Sequence, residues 1–191
     1  MASLTEVTVQ PERAISGLRV EELYAEHVGM VWSGLRRLGV PEASIEDAVQ
    51  DVFLVAHRRL ADFQGRSSVK TWLYGIVLRV AKDYRRAQAR HARRVERLAE
   101  TLSISTLSAQ TPAKEAERRE ANQALHAILA ELDQDHREVL VLVEIEEFSM
   151  QDAAAVLSLH VRTCQRRLRA ARAAFEKKLA RFLQRSERQD P

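Results

Sequence analysis

Residues 149–169 read SMQDAAAVLSLHVRTCQRRLR. Ser149 with Asp152 three residues later is a helix start, and Ala153, Ala154, Val156 and Leu157 give the short helix that follows an apolar side. A tight turn is expected through Ser158 to His160, and a long helix is expected from about Val161. An alanine-rich capped helix, a turn of three to four residues and a longer basic helix form the pattern of a helix-turn-helix, in which small residues let the two helices pack closely. A plain helical hairpin shares much of that pattern. The start of the second helix favours the first reading: Arg162, Thr163, Gln165, Arg166 and Arg169 carry groups that hydrogen-bond base edges in the major groove and the phosphates beside it. Farther along, Arg172, Lys177, Lys178 and Arg181 suit phosphates or solvent better than bases.

Charge along the chain agrees with a polyanionic partner. The 191 residues hold 30 Lys and Arg against 27 Asp and Glu, a net charge of only +3, yet the signs are segregated. One basic block spans Arg79 to Arg97 and a second spans Arg162 to Arg188. Blocks of this kind bind nucleic acid by displacing counterions from phosphates, although a solvated helix face has the same composition.

Upstream, the apolar spacing is helical throughout. Leu23, Val28, Val31, Trp32, Leu35 and Leu38 form one face of a helix that Gly39-Val40-Pro41 ends. Ser44 with Asp47 reads as a capping box opening a second helix, whose buried stripe is Ile45, Ala48, Val49, Val52, Phe53, Ala56 and Leu60. Its other face carries Glu46, Asp47, Gln50 and Asp51. The turn formers of DFQGRSS (Asp62 to Ser68) make a short loop. A third helix is expected from about Val69 to Arg90, with Trp72, Leu73, Ile76, Val77, Val80 and Tyr84 inward and Lys70, Arg79, Lys82 and Arg86 mostly on the other side. Trp72 is expected in the core, and Tyr74 is expected to be the more exposed aromatic. Residues 101–112 (TLSISTLSAQTP) have little charge and no sustained period, as a linker does. Helical patterning resumes through Leu125, Ile128, Leu129 and Leu132 and again through Val139, Leu140, Leu142 and Val143.

The fold class is therefore all-α: two small helical domains joined by a flexible linker, the second ending in the helix-turn-helix. The expected boundaries are an N-terminal tail over 1–20, a first domain over 21–98, a linker over 99–118, a second domain over 119–183 and a C-terminal tail over 184–191. No apolar run reaches the length of a membrane span and the N-terminus lacks the features of a signal peptide, so a cytoplasmic protein without membrane insertion is expected. Cys164 has no second cysteine to pair with, and no His or Cys cluster has zinc-site spacing. No cofactor, metal or catalytic residue is expected: Walker-type loops, catalytic triads and paired carboxylates are missing, and the histidines are scattered.

Taken in order, these segments resemble the extracytoplasmic-function (ECF) group of bacterial RNA polymerase sigma factors. Ile45 to His91 (IEDAVQDVFLVAHRRLADFQGRSSVKTWLYGIVLRVAKDYRRAQARH) is similar to that family's region two, with its acidic helix, Phe-x-Gly loop, Thr-Trp-Leu-Tyr entry and basic helix. Leu125 to Leu179 is similar to region four. The resemblance implies that the chain directs core RNA polymerase to promoters, recognising minus-35 and minus-10 elements and nucleating melting. It implies docking of Asp47, Gln50, Asp51 and Leu54 on the coiled coil of the largest polymerase subunit, with a further contact at the flap region. It implies capture of a flipped base by Phe63, Gln64, Gly65, Arg66, Ser67 and Ser68. The adjoining minus-10 DNA would meet Lys70, Arg79, Lys82, Asp83 and Arg86. The minus-35 element would meet Arg162, Thr163, Gln165, Arg166, Arg169 and Arg172. An anti-sigma partner is implied as well.

The chain departs from common members where promoter choice is made. Many relatives have proline, glycine and arginine at the positions held here by His160, Arg162 and Gln165, and some carry asparagine in place of Arg79 and Asp83. An unusual promoter is the expectation. The alternatives are a helix-turn-helix regulator that acts without direct sigma function, and an adaptor whose basic helices bind acidic proteins.

Overall fold

A computed structural model describes residues 19–99 and 116–186. The expected linker and the two expected tails fall mostly outside these residues. Every regular element among the described residues is helical: α1 (Val20–Arg37), α2 (Ile45–Arg59), α3 (Val69–Ala99), α4 (Ala116–Ala130), α5 (Gln134–Leu140), α6 (Met150–Val156) and α7 (Val161–Ser186).

In the first unit α1, α2 and α3 pack on one another. Leu23, Val31, Leu35 and Leu38 from α1 and its end meet Ile45, Ala48, Val52 and Ala56 from α2 and Leu73, Val77 and Ala81 from α3, all but completely buried. Each full-sized aliphatic side chain so buried contributes roughly 1.5–3 kcal/mol. Leu38 ends α1 and Gly39 follows with φ +86. In the second unit α4, α5 and α6 pack against α7 through Leu129, Leu132, Val139, Leu142, Ala153, Cys164, Leu168 and Ala171. Asp133 caps α5 by accepting from the His136 N–H at 2.9 Å, and Ser149 caps α6 by accepting from the Asp152 N–H at 3.1 Å. Val141–Ile145 forms one π-helical turn, after which Glu147 takes a left-handed φ of +58.

Three local expectations are corrected. Tyr74 is fully buried rather than exposed, because Phe148 of the second unit lies edge-on against it with ring centroids 5.2 Å apart. Trp32 does not join the buried face of α1 but keeps 36% of its surface exposed; it follows Val31 by one residue, about 100° around the helix. Ser44 makes no side-chain cap on α2: it ends a 3-10 turn (Glu42–Ser44) with ψ near 3°, outside the extended region that aims a capping hydroxyl at the first free amides. α3 also runs past the expected end, to Ala99.

Candidate nucleic-acid interface

The helix-turn-helix forms as the sequence predicts. α6 leads through a turn at Ser158, φ +54, into α7. Along the first turns of α7 the side chains divide cleanly. Cys164, Leu168 and Ala171 are buried against α5 and α6, whereas Arg162, Gln165, Arg166 and Arg169 are exposed and Thr163 is half-buried. Burial raises the Cys164 thiol pKa above its ordinary value, with Arg167 opposing. Arg172 is exposed but spoken for: its Nε and Nη2 donate to Glu144 Oε1 at 2.9 and 2.6 Å. Arg167 pairs with Asp135 at 2.9 Å.

The loop before α3 has a buried root and an exposed crown. Phe63 is buried against Trp72, centroids 5.0 Å apart, and Trp72 itself is half-buried against the core. Phe63 is thus a support for the loop. Gln64, Gly65, Arg66 and Ser68 are exposed and Ser67 is half-buried; Gly65 takes φ +66, a conformation in which a side chain would be strained. The Ser68 hydroxyl accepts from the Thr71 N–H at 3.0 Å and lies 2.8 Å from the Thr71 hydroxyl, so it caps α3 while its residue borders the crown. From there Arg79, Lys82, Asp83 and Arg86 form an exposed row along α3. Lys70 stands apart from that row. It is half-buried, donates to the Glu146 carbonyl at 2.6 Å and lies 4.9 Å from the centre of the Phe148 ring.

The acidic face of α2 is open. Asp47, Gln50, Asp51 and Leu54 are all exposed, at helical spacings of three and four that place them on one side. Tyr84 of α3 donates to Asp51 Oδ2 at 2.9 Å, and burial together with that carboxylate pushes the phenol up to about 12. Beside this face runs a groove of about 690 Å³ lined by Val20, Tyr24, Val49, Phe53, Leu54 and His57, among others. Tyr24, which sequence reasoning passed over, stands 48% exposed here with its ring 4.8 Å from Phe53.

Sequence reasoning also missed the contact between the two units. Arg37 Nη1 meets Glu146 Oε1 at 2.7 Å and Arg85 Nη2 meets Glu138 Oε1 at 2.8 Å. The Leu38 carbonyl accepts from Arg85 and, at 3.4 Å, from Arg137, whose other nitrogens cap the end of α4 at Leu129, Ala130 and Leu132. Among the described residues no group of three His, Cys, Asp or Glu could hold a metal, and no helix is long and apolar enough to cross a membrane.

The comparisons with known proteins agree with this arrangement. Residues 23–91 match Sigma-70 region 2 and residues 122–175 match Sigma-70 region 4. The RNA polymerase sigma factor CnrH of Cupriavidus metallidurans is 32% identical over 158 residues, covering 80% of this chain and 82% of that one. The ECF RNA polymerase sigma-E factor of Haemophilus influenzae is 30% identical, covering 77% and 80%. A solved structure of CnrH in complex with the cytosolic domain of CnrY superposes with a TM-score of 0.64 at 29% identity, covering 88% of this chain and 93% of that one. Exposed polar and basic residues on a helix-turn-helix, an exposed loop leading into a basic helix, and both region matches in the same order have one reading: the chain belongs to the ECF RNA polymerase sigma factors and acts in promoter recognition and transcription initiation.

Proposed function

We propose that the chain carries out initiation through three surfaces. The α2 face of Asp47, Gln50, Asp51 and Leu54 docks on the coiled coil of the largest polymerase subunit, with Tyr84 fixing the rotamer of Asp51. The crown Gln64 to Ser68 receives a base flipped out of the minus-10 element, while Arg79, Lys82 and Arg86 hold neighbouring phosphates and Asp83 borders the bases. Flipping costs a few kcal/mol of unstacking, which contacts to the captured base return. The start of α7 reads the minus-35 element through Arg162, Gln165, Arg166 and Arg169, with Thr163 beside them. Arg172 joins the phosphate contacts only after leaving Glu144.

The observation that carries this reading is the division of α7, in which Cys164, Leu168 and Ala171 anchor the helix and leave the four polar or basic side chains exposed. Such a row enters a major groove without disturbing the core that holds it. Free energy for melting comes from binding, so the chain needs no reaction chemistry of its own, and it works beside polymerase in the cytoplasm. An anti-sigma protein is proposed as its antagonist, with the open α2 face and the Tyr24 groove as its landing surface; the CnrH complex with a CnrY domain supports this.

Run-off transcription with purified core polymerase, this protein and a randomised promoter library tests the proposal. Transcripts from a defined pair of elements are expected, and Asp51→Arg is expected to abolish them while leaving minus-35 binding intact. No transcript together with no capture of core polymerase would overturn it.

A further inference from the structure

Charged side chains converge where α4 faces the end of α1. Arg36 and Arg37 come from the last turn of α1, Glu42 from the 3-10 turn that follows, His126 from α4 and Arg137 from α5, and together they line a cavity of about 240 Å³. Gly39 forms part of the wall, and a Cβ there would collide with Arg137 Nη1, so bare backbone is what admits this guanidinium to the space.

The charges in the wall do not balance. Among the described residues three guanidiniums meet one lining carboxylate, that of Glu42. Arg36 reaches it through Nε at 3.0 Å, in a pair well exposed on both sides. Arg37 gives Nη1 to Glu146 at 2.7 Å, outside the cavity lining. Arg137 gives Nε and Nη2 to carbonyls at the end of α4, while its Nη1 makes only a long contact of 3.4 Å with the Leu38 carbonyl. His126, half-buried among them, registers the surplus: burial first, and the positive charge of Arg36 and Arg37 next, hold its pKa below the ordinary histidine value, with Glu42 opposing. An imidazole held neutral by two guanidiniums marks a positive potential at that spot.

Size and donor type narrow what this potential attracts. Pockets for drug-sized organic ligands run from roughly 300 to 1,000 Å³ and are mostly apolar. This one is smaller and rich in N–H donors. Guanidiniums favour oxyanions, which accept charge-assisted hydrogen bonds from their planar fork. Donors arriving from α1, α4 and α5 surround a tetrahedral group better than a planar carboxylate.

We infer that this cavity is a binding site for a small phosphate-type oxyanion, held by Arg36, Arg37, Arg137 and His126 and opposed by Glu42 at the rim. The site lies apart from the three surfaces proposed for initiation and requires none of them. A bound dianion favours the imidazolium form of His126, so binding takes up a proton and strengthens as pH falls through the ordinary histidine range.

Sulfate is the probe, because it stays divalent between about pH 5.5 and 8, where histidine titrates. Titration calorimetry on the full chain at constant ionic strength should show one saturable site, about tenfold tighter at the acid end, and NMR should show His126 titrating at higher pH with sulfate than without. Arg36→Gln should weaken binding about tenfold or more. His126→Gln should remove most of the pH dependence. Glu42→Gln should tighten binding severalfold, a sign that loss of structure does not mimic. Arg58→Gln, exposed on α2, should leave the affinity unchanged. Pyrophosphate and a nucleoside monophosphate, each added against sulfate, separate a free anion from a phosphate ester: displacement by either supports the site, and displacement by neither overturns it. Unsaturable binding, an affinity indifferent to pH, or one indifferent to both Arg36→Gln and Glu42→Gln overturns it as well.

Discussion

Arg37 and Glu146 stand 109 positions apart in the sequence and meet at 2.7 Å, Arg37 a quarter exposed and Glu146 almost wholly buried. The second cross-unit pair, Arg85 with Glu138, is the drier of the two on average and also ties Arg85 to the Leu38 carbonyl.

Removing one partner of the Arg85–Glu138 pair leaves the other charge largely desolvated. Arg85→Ala and Glu138→Ala should each destabilise the protein by about 2–4 kcal/mol, and the double variant by less than their sum. Urea denaturation of the four proteins measures the coupling, expected at about 1–3 kcal/mol; additive losses would show that the pair is spectator to the fold.

Gly39→Ala should cost about 2 kcal/mol or more. The position has φ +86, and an added Cβ would lie 2.2 Å from Arg137 Nη1, forcing that guanidinium off the carbonyls that end α1 and α4. A urea midpoint equal to that of wild type would refute this account of the turn.

His126 has its pKa lowered by burial first and by Arg36 and Arg37 next, with Glu42 opposing. The unfolded chain therefore takes up the proton more readily than the folded one. Stability from this residue is complete above the ordinary histidine range and is lost as pH falls through about 6.5 towards the lower folded value. Unfolding free energies between pH 7.5 and 5.5 should decline, and His126→Gln should flatten the part of that slope it causes.

Arg169 and Arg172 sit one turn apart on α7, but among the described residues Arg172 alone of the two forms an ion pair, to Glu144. Arg169→Ala should weaken minus-35 binding by about 1–3 kcal/mol. Arg172→Ala should cost clearly less, because breaking the Glu144 contact offsets what the phosphate returns. Gel shifts over a range of salt separate the two: equal losses would mean that Glu144 does not compete with DNA.

Much of this was legible in the sequence wherever the deciding forces are local. The start of α7 at Val161, the Ser149 cap and the stripe from Ile45 to Ala56 all follow from spacings of three and four, which a helix turns directly into faces. The open α2 face and the exposed residues at the start of α7 were readable for the same reason. Tyr74 was misread because what buries it, Phe148, lies in the other unit, and nothing in the sequence near Tyr74 announces it. Lys70 reads as a DNA contact from its neighbours, and only the fold shows Glu146 and Phe148 upon it. Ser44 has the right residue type for a cap, but the 3-10 turn ahead of it sets the wrong backbone angle.

The 26 residues of α7 make a rod about 39 Å long at 1.5 Å per residue. One end presents the side chains proposed to read bases, while Lys178, farther along, is tied to Glu131 just past the end of α4 at 3.2 Å. The rod is held over its first half by α5 and α6, at Cys164, Leu168 and Ala171, so it turns about the end that carries Arg162, Gln165 and Arg166. Tilting it by about 5° about Leu168 carries Arg162, about 9 Å away along the axis, by only about 0.8 Å. Tension applied to α4, the helix that follows the interdomain segment, would thus swing the far end of the rod while leaving that first end almost in place.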